Sequence, residues 1–230
     1  VGSSWWTPGN YDRRYHGSVT FRHALTRSLN AATVDLAMRS GIEGIVETLR
    51  ACGVQSALEP YPSLSLGAFE VTPIELAGAY AVLSNDGQKP FLLSLREVVT
   101  EGGNVVERRH VGFTTVTTPA KAFIITDILR DAVETGTGRA LKGLGIDFPC
   151  AGKTGTTSDY RDSWFVGYTN DLLAAVWVGY DDNRTTGLSG GRGAARLWAR
   201  FMTEARPWFH AGDFNVPPGV VERQVCLQSG

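Results

Sequence analysis

The chain has 230 residues, 43% hydrophobic and 20% charged, a composition that excludes a disordered or collagen-like polymer. Its 22 basic and 23 acidic residues leave a net charge of -1, so no electrostatic footprint for nucleic acid is expected. No run of 18 apolar residues occurs and Val1-Gly-Ser-Ser-Trp-Trp6 lacks a signal-peptide pattern, so neither a helical membrane span nor a targeting segment is expected.

Residues 5–15 read as a loop rich in Pro, Gly, Asn and aromatics, followed by helical spacing from a Ser18 N-cap through the segment ending at Arg27. Apolar side chains at steps of three and four over 31–38 and 42–49, interrupted by Ser40-Gly41, predict a helix pair that Gly53 ends. Thr72-Pro73 opens another helix, closed by Asn85-Asp-Gly87. The β-rich runs 91–99 and 105–111 flank Glu101-Gly-Gly-Asn104 and predict a hairpin. Thr118-Pro119 starts a helix that the loop Thr135-Gly-Thr-Gly-Arg139 breaks. From Cys150 three strands are predicted, 150–156, 163–168 and 172–180, with a short turn at Asn170-Asp171. A last helix over 194–205 places Leu197, Trp198, Phe201 and Met202 on one face. Helices early and an antiparallel sheet late predict an α+β fold.

Several patterns are weak on inspection. Gly152-Lys153-Thr154 lacks the first glycine of a phosphate loop, since position 147 is Asp. Gly187-Leu-Ser189-Gly-Gly191 matches a nucleophile elbow only by letters, because it stands too far from the strand before it. The three cysteines, at 52, 150 and 226, and the four histidines have no metal-ligand spacing, so no disulfide framework, metal or cofactor is expected. Trp177 and Trp198 fall within apolar periodicity and are expected in the core, with Trp5 and Trp6 left open.

Two short patterns carry more together than apart. Ser28-Leu29-Asn30 lies between two predicted helices and Lys153-Thr154-Gly155 on a predicted strand. These are the S-x-N and K-T-G of a set whose remaining member is S-x-x-K. Around them the chain resembles the class A penicillin-binding proteins over almost its whole length. The resemblance is carried by Pro8-Gly-Asn-Tyr-Asp12, Gly17-Ser-Val-Thr-Phe-Arg22, Glu70-Val-Thr-Pro-Ile-Glu-Leu-Ala-Gly-Ala-Tyr80, Glu134-Thr-Gly-Thr-Gly-Arg139, Ala151-Gly-Lys-Thr-Gly-Thr-Thr157, Asp159-Tyr-Arg-Asp162, Trp164-Phe-Val-Gly167 and Val176-Trp-Val-Gly-Tyr-Asp-Asp-Asn183.

The resemblance implies an antiparallel sheet flanked by helices and a D,D-transpeptidase that cross-links D-Ala-D-Ala stem peptides through an acyl-serine. Ser28, Asn30 and Lys153 are then the catalytic residues: a hydroxyl relay, a carbonyl-holding amide and an electrostatic anchor. Thr154, Gly155, Thr156 and Thr157 are the substrate-binding residues, with the Thr156 backbone N–H as an oxyanion donor. Implied partners are peptidoglycan stem peptides, lipid II-derived glycan strands and β-lactams, at the periplasmic face of a membrane reached only through an N-terminal anchor outside this sequence.

One expected element is missing. The four lysines, 89, 121, 142 and 153, are preceded at three residues by Asp86, Thr118, Arg139 and Cys150, so no S-x-x-K exists. Residues 1–207 are therefore expected to be the C-terminal part of a transpeptidase domain, cut after its nucleophile, with 208–230 a tail leading to an extension. Alternatives are a non-catalytic scaffold or sensor of the same fold, and a serine β-lactamase-related hydrolase, for which no glutamate stands in an E-x-x-L-N context.

Overall fold

The structure is a computed structural model that describes residues 6–223. Its first helices are short and sharply punctuated. Helix α1 (Phe21–Arg27) is capped by Thr20, whose hydroxyl accepts from the His23 amide; Ser18, the expected cap, lies two residues outside. Helix α1 ends at Ser28, which adopts a left-handed conformation with φ 57°, and the chain restarts as α2 (Asn30–Ser40). Gly41, at φ 87°, turns α2 into α3 (Ile42–Cys52), and Gly53 ends α3 with φ 105°.

Helix α4 (Pro73–Ser84) has Pro at its start and a capping box in which Thr72 and Glu75 satisfy each other's backbone amides. Glu75 also accepts from the Gln55 and Ser56 amides and the Ser56 hydroxyl, tying α4 to the end of α3. These bonds hold its carboxyl well below the usual carboxylate range.

The middle of the chain departs from the expected single hairpin. Strand β1 (Gln88–Pro90) pairs with β4 (Phe113–Thr115), and β2 (Glu97–Val99) pairs with β3 (Val105–Arg108), so two small antiparallel ribbons nest one inside the other. Residues 91–96 and 109–112 connect the ribbons. The expected turn at 101–104 is present, closed by bonds between Thr100 and both Gly103 and Asn104.

Helix α5 (Pro119–Glu134), capped by Thr118, backs the main sheet. That sheet is antiparallel in the order β5 (Ala151–Thr156), β6 (Ser163–Tyr168), β7 (Leu173–Val178). Helix α6 (Ala194–Ala205) covers the opposite face. Alternation along β6 explains the two layers: Phe165 faces α6 and meets the Trp198 ring, while Tyr168 faces α5 and exchanges a hydrogen bond of 2.9 Å with Thr126. A Cβ on Gly167 would stand 2.8 Å from the Trp198 ring, so this position is glycine because the indole fills it.

Two core expectations are corrected. Helix α6 buries Ala194, Ala195, Trp198, Ala199 and Met202, leaving Leu197 52% and Phe201 49% exposed. The alanines let the helix approach β6 closely, which rotates the buried stripe away from the two larger side chains. Trp177 is 38% exposed and donates its indole N–H to Asp162, whereas Trp198 is fully buried as expected. Trp6 is exposed, and Trp5 and Cys226 lie outside the described residues. Past the last helix, Phe209 packs on Phe148 and Phe214 on Tyr168, so this part of the tail folds back onto the body.

Candidate active site

The left-handed turn at Ser28 lifts its hydroxyl out of the end of α1, on the side where α5 and β5 pack. Arg22 of α1 donates to both Asp127 and Asp131 of α5, fixing the two helices against each other. Helix α5 in turn lies on β5. The result is that Lys153 Nζ, from the third residue of β5, donates to Ser28 Oγ at 2.9 Å and to the Thr154 carbonyl at 3.2 Å. Burial lowers the Lys153 pKa to about 8, because a desolvated ammonium is less favourable than the neutral amine.

Asn30 opens α2 two residues from Ser28, and its Nδ2 donates to the Gly9 carbonyl at 2.8 Å. Among the described residues it makes no bond to Lys153. Its segment is pinned from the other side by Asn10, a buried side chain that accepts from the Ala31 amide and donates to the Arg14 carbonyl.

Strand β5 pairs only with β6 among the described residues, which leaves its outer edge open beside Lys153. Thr154 donates its hydroxyl to Thr137 at 2.8 Å, and Thr156 accepts from the Gly190 amide at 2.9 Å. By strand alternation these two hydroxyls share one face, opposite to the Lys153 side chain. Gly155 has a packing reason to be glycine: a Cβ would stand 3.0 Å from Trp164 Cβ on the paired strand. The glycine-rich loop read by letters as a nucleophile elbow packs here too, since a Cβ on Gly190 would be 2.6 Å from the Gly155 carbonyl oxygen. Its Ser189 carbonyl accepts from Ser163, and the loop leads into α6.

Thr157 is turned away. Its hydroxyl donates to Asp162 Oδ2 and accepts from the Asp162 amide, closing the turn between β5 and β6. In that turn Tyr160 hydrogen-bonds Tyr11 at 3.1 Å, joining the loop before α1 to the end of β5. The structure thus brings Ser28 and Lys153 into contact, keeps Asn30, Thr154, Gly155 and Thr156 near them, and assigns Thr157 to the turn. Sequence reasoning gave no role to Thr137 or Asn10, though the glycines at 136 and 138 mark a forced backbone path around Thr137. Among the described residues no grouping of three His, Cys, Asp or Glu side chains could hold a metal ion.

The profile of the penicillin binding protein transpeptidase domain matches residues 1–203. The chain is 41% identical over 198 residues to penicillin-binding protein 1B of Vibrio cholerae, covering 86% of this chain and 26% of that protein. It is 39% identical over 217 residues to penicillin-binding protein 1A of Aquifex aeolicus, covering 93% of this chain and 29% of that protein. The chain thus spans less than a third of the length of these curated relatives. Its fold matches penicillin-binding protein 1A of Haemophilus influenzae with a TM-score of 0.90 at 24% identity, over 98% of this chain and 40% of that one. It also matches the PonA1 protein of Mycobacterium tuberculosis in complex with penicillin V, with a TM-score of 0.77 at 22% identity, over 92% of this chain and 65% of that one. The α+β architecture, the S-x-N and K-T-G segments and these relatives agree: the chain belongs to the transpeptidase domain family of the class A penicillin-binding proteins.

Proposed function

We propose that this chain carries the S-x-N and K-T-G walls of a D,D-transpeptidase site and that the nucleophilic serine belongs to a segment outside these 230 residues. The observation that carries the reading is the Lys153–Ser28 contact of 2.9 Å, made across 125 residues of sequence. A lysine with a pKa of about 8 holds its proton at neutral pH yet releases it readily, which suits a proton-relay task beside a hydroxyl.

In the proposed reaction the external serine attacks the carbonyl of the penultimate D-Ala of a stem peptide. The proton that the attacking hydroxyl loses passes through Lys153 and Ser28 to the departing D-Ala nitrogen as the carbonyl carbon–nitrogen bond breaks, so the acyl-serine forms, neutral D-Ala amine leaves, and Lys153 and Ser28 end in the protonation states in which they began. The acyl group then passes to an amine of a neighbouring strand, and a β-lactam would acylate the same serine. Thr154 and Thr156 contribute hydroxyls that hydrogen-bond the terminal carboxylate of the donor peptide, and the open edge of β5 accepts that peptide as an added strand. Residues 1–207 are read as this half-domain and 208–230 as its tail. The parent protein is placed on the periplasmic face of the cytoplasmic membrane, acting on peptidoglycan.

Intact mass of the 230-residue chain after incubation with a penicillin should show no adduct. In a longer protein that restores an S-x-x-K segment, acylation should appear, and Lys153→Ala should slow it about 10²-fold or more. A serine adduct on the short chain, or a wild-type rate in the Lys153 variant, overturns the assignment.

A further inference from the structure

The segment Glu134-Thr-Gly-Thr-Gly-Arg139 is one of the motifs carrying the resemblance to which the proposed reaction gives no part. Its geometry is tightly constrained. A Cβ on Gly136 would collide with the Thr26 carbonyl oxygen of α1 and with α5 at Ala132. A Cβ on Gly138 would press at 3.2 Å on Ala132 O and Val133 Cα. The Gly136 and Gly138 amides bond back to Asp131 and Ala132. Two buried glycines therefore press this loop between α1, two residues before Ser28, and the end of α5. The only side chain between them is that of Thr137.

Thr137 is partly buried, and its hydroxyl accepts from Thr154, the middle residue of K-T-G. Among the described residues it donates to nothing in return. This polarity is a resting one. As long as Thr154 gives its proton to Thr137, it offers an approaching anion only lone pairs. If both hydroxyls rotate, Thr137 donates to Thr154 and Thr154 donates outward, forming an O–H···O–H···O⁻ chain in which each bond polarises the next.

We infer that Thr137 is a positioning residue that sets the direction of the Thr154 hydroxyl and so determines how strongly the groove prefers ligands ending in a free carboxylate. The loop that carries it touches both α1 and β5, so the same residue sits where the two walls meet. The inference rests on the proposed transpeptidase reading, because that reading places a peptide carboxylate beside Thr154.

The test uses the 230-residue chain, which needs no nucleophile to bind. NMR titration compares an N-acetylated peptide ending in D-Ala-D-Ala as the free acid and as its C-terminal amide. The wild-type chain should prefer the acid. Thr137→Val should lower the acid affinity about tenfold and leave the amide affinity unchanged, a loss of the size expected for one hydrogen bond to a charged group. Thr137→Ser should restore the preference. A residue that merely filled space would change both affinities together. Should the valine variant melt early, Thr137→Ala reads the same difference with less steric change. If the wild-type chain shows no preference for the acid, the inference falls with the reading beneath it. If the preference is present and Lys153→Ala abolishes it while Thr137→Val keeps it, the reading stands and the inference alone falls.

Discussion

Lys153 Nζ lies 2.9 Å from Ser28 Oγ although neither residue's local structure requires the other. Ser28 is where it is because α1 ends in a left-handed residue; Lys153 because β5 lies on α5. The α1–α5 clamp through Arg22, Asp127 and Asp131, with Leu25 of α1 packed among Leu129, Ala151 and Tyr168, brings the two together.

The Lys153 contribution to stability should rise with pH between about 8 and about 10.4, the ordinary lysine value, opposed above about 9 by Cys150, whose buried thiol is pushed up to about 12 and so ionises first in the unfolded chain. In that window the unfolded chain keeps a proton on residue 153 that the folded chain has released, so ν_U exceeds ν_N and the unfolding free energy increases with pH. Below about 8 both states are protonated, and the stability lost to burying the charge is constant. Urea midpoints at pH 7, 8, 9 and 10 for the wild-type chain and Lys153→Met check this: the stability of the wild type relative to the variant should climb with pH above about 8. An equal slope in both proteins means that another group titrates there.

Arg22→Met should cost about 1 kcal/mol or less, because the Arg22 guanidinium is about half exposed and such pairs contribute little on their own. Its larger effect should be on register. Amide exchange at Ser28 and Leu29 should quicken relative to that in α6 if the clamp holds the S-x-N turn, and remain unchanged if it does not.

Trp198→Ala should destabilise the chain by about 3–5 kcal/mol, whereas Leu197→Ala should stay within about 0.5 kcal/mol. Chemical denaturation of both variants decides which stripe of α6 faces the sheet. A large loss at Leu197 would mean that its exposed face is packed against something in solution.

Gly152→Ala should destabilise by about 1–3 kcal/mol, since the new methyl would stand 2.7 Å from the Phe165 ring and 2.8 Å from the Val166 carbonyl. Gly143→Ala, where a Cβ meets nothing within 4 Å, is the control and should be near neutral in the same thermal melt.

Where structure is dictated locally, the sequence was readable. Thr72-Pro73 and Thr118-Pro119 start helices because a hydroxyl cap and a fixed φ act within one turn. The β6–β7 turn at Asn170-Asp171 is equally local. The ribbons of residues 88–115 were not readable, because Gln88 pairs with Thr115 across a 26-residue insertion that no short-range signal spans. The α6 stripe is not legible in the sequence because Leu197 and Phe201 outweigh alanines in any hydrophobicity count, while close packing favours the alanines. In the site, S-x-N and K-T-G were legible as letters with a known chemical pairing. Thr137 was not, since its partner is 17 residues away and its only trace is the pair of glycines around it.

The left-handed backbone at Ser28 has a consequence for how such a chain persists. A serine at φ 57° is held about 1–2 kcal/mol above what glycine would tolerate there without penalty. Selection for durability alone would replace it, and the tougher chain would have lost the hydroxyl that Lys153 meets. At this position backbone ease and the hydroxyl that Lys153 meets exclude one another.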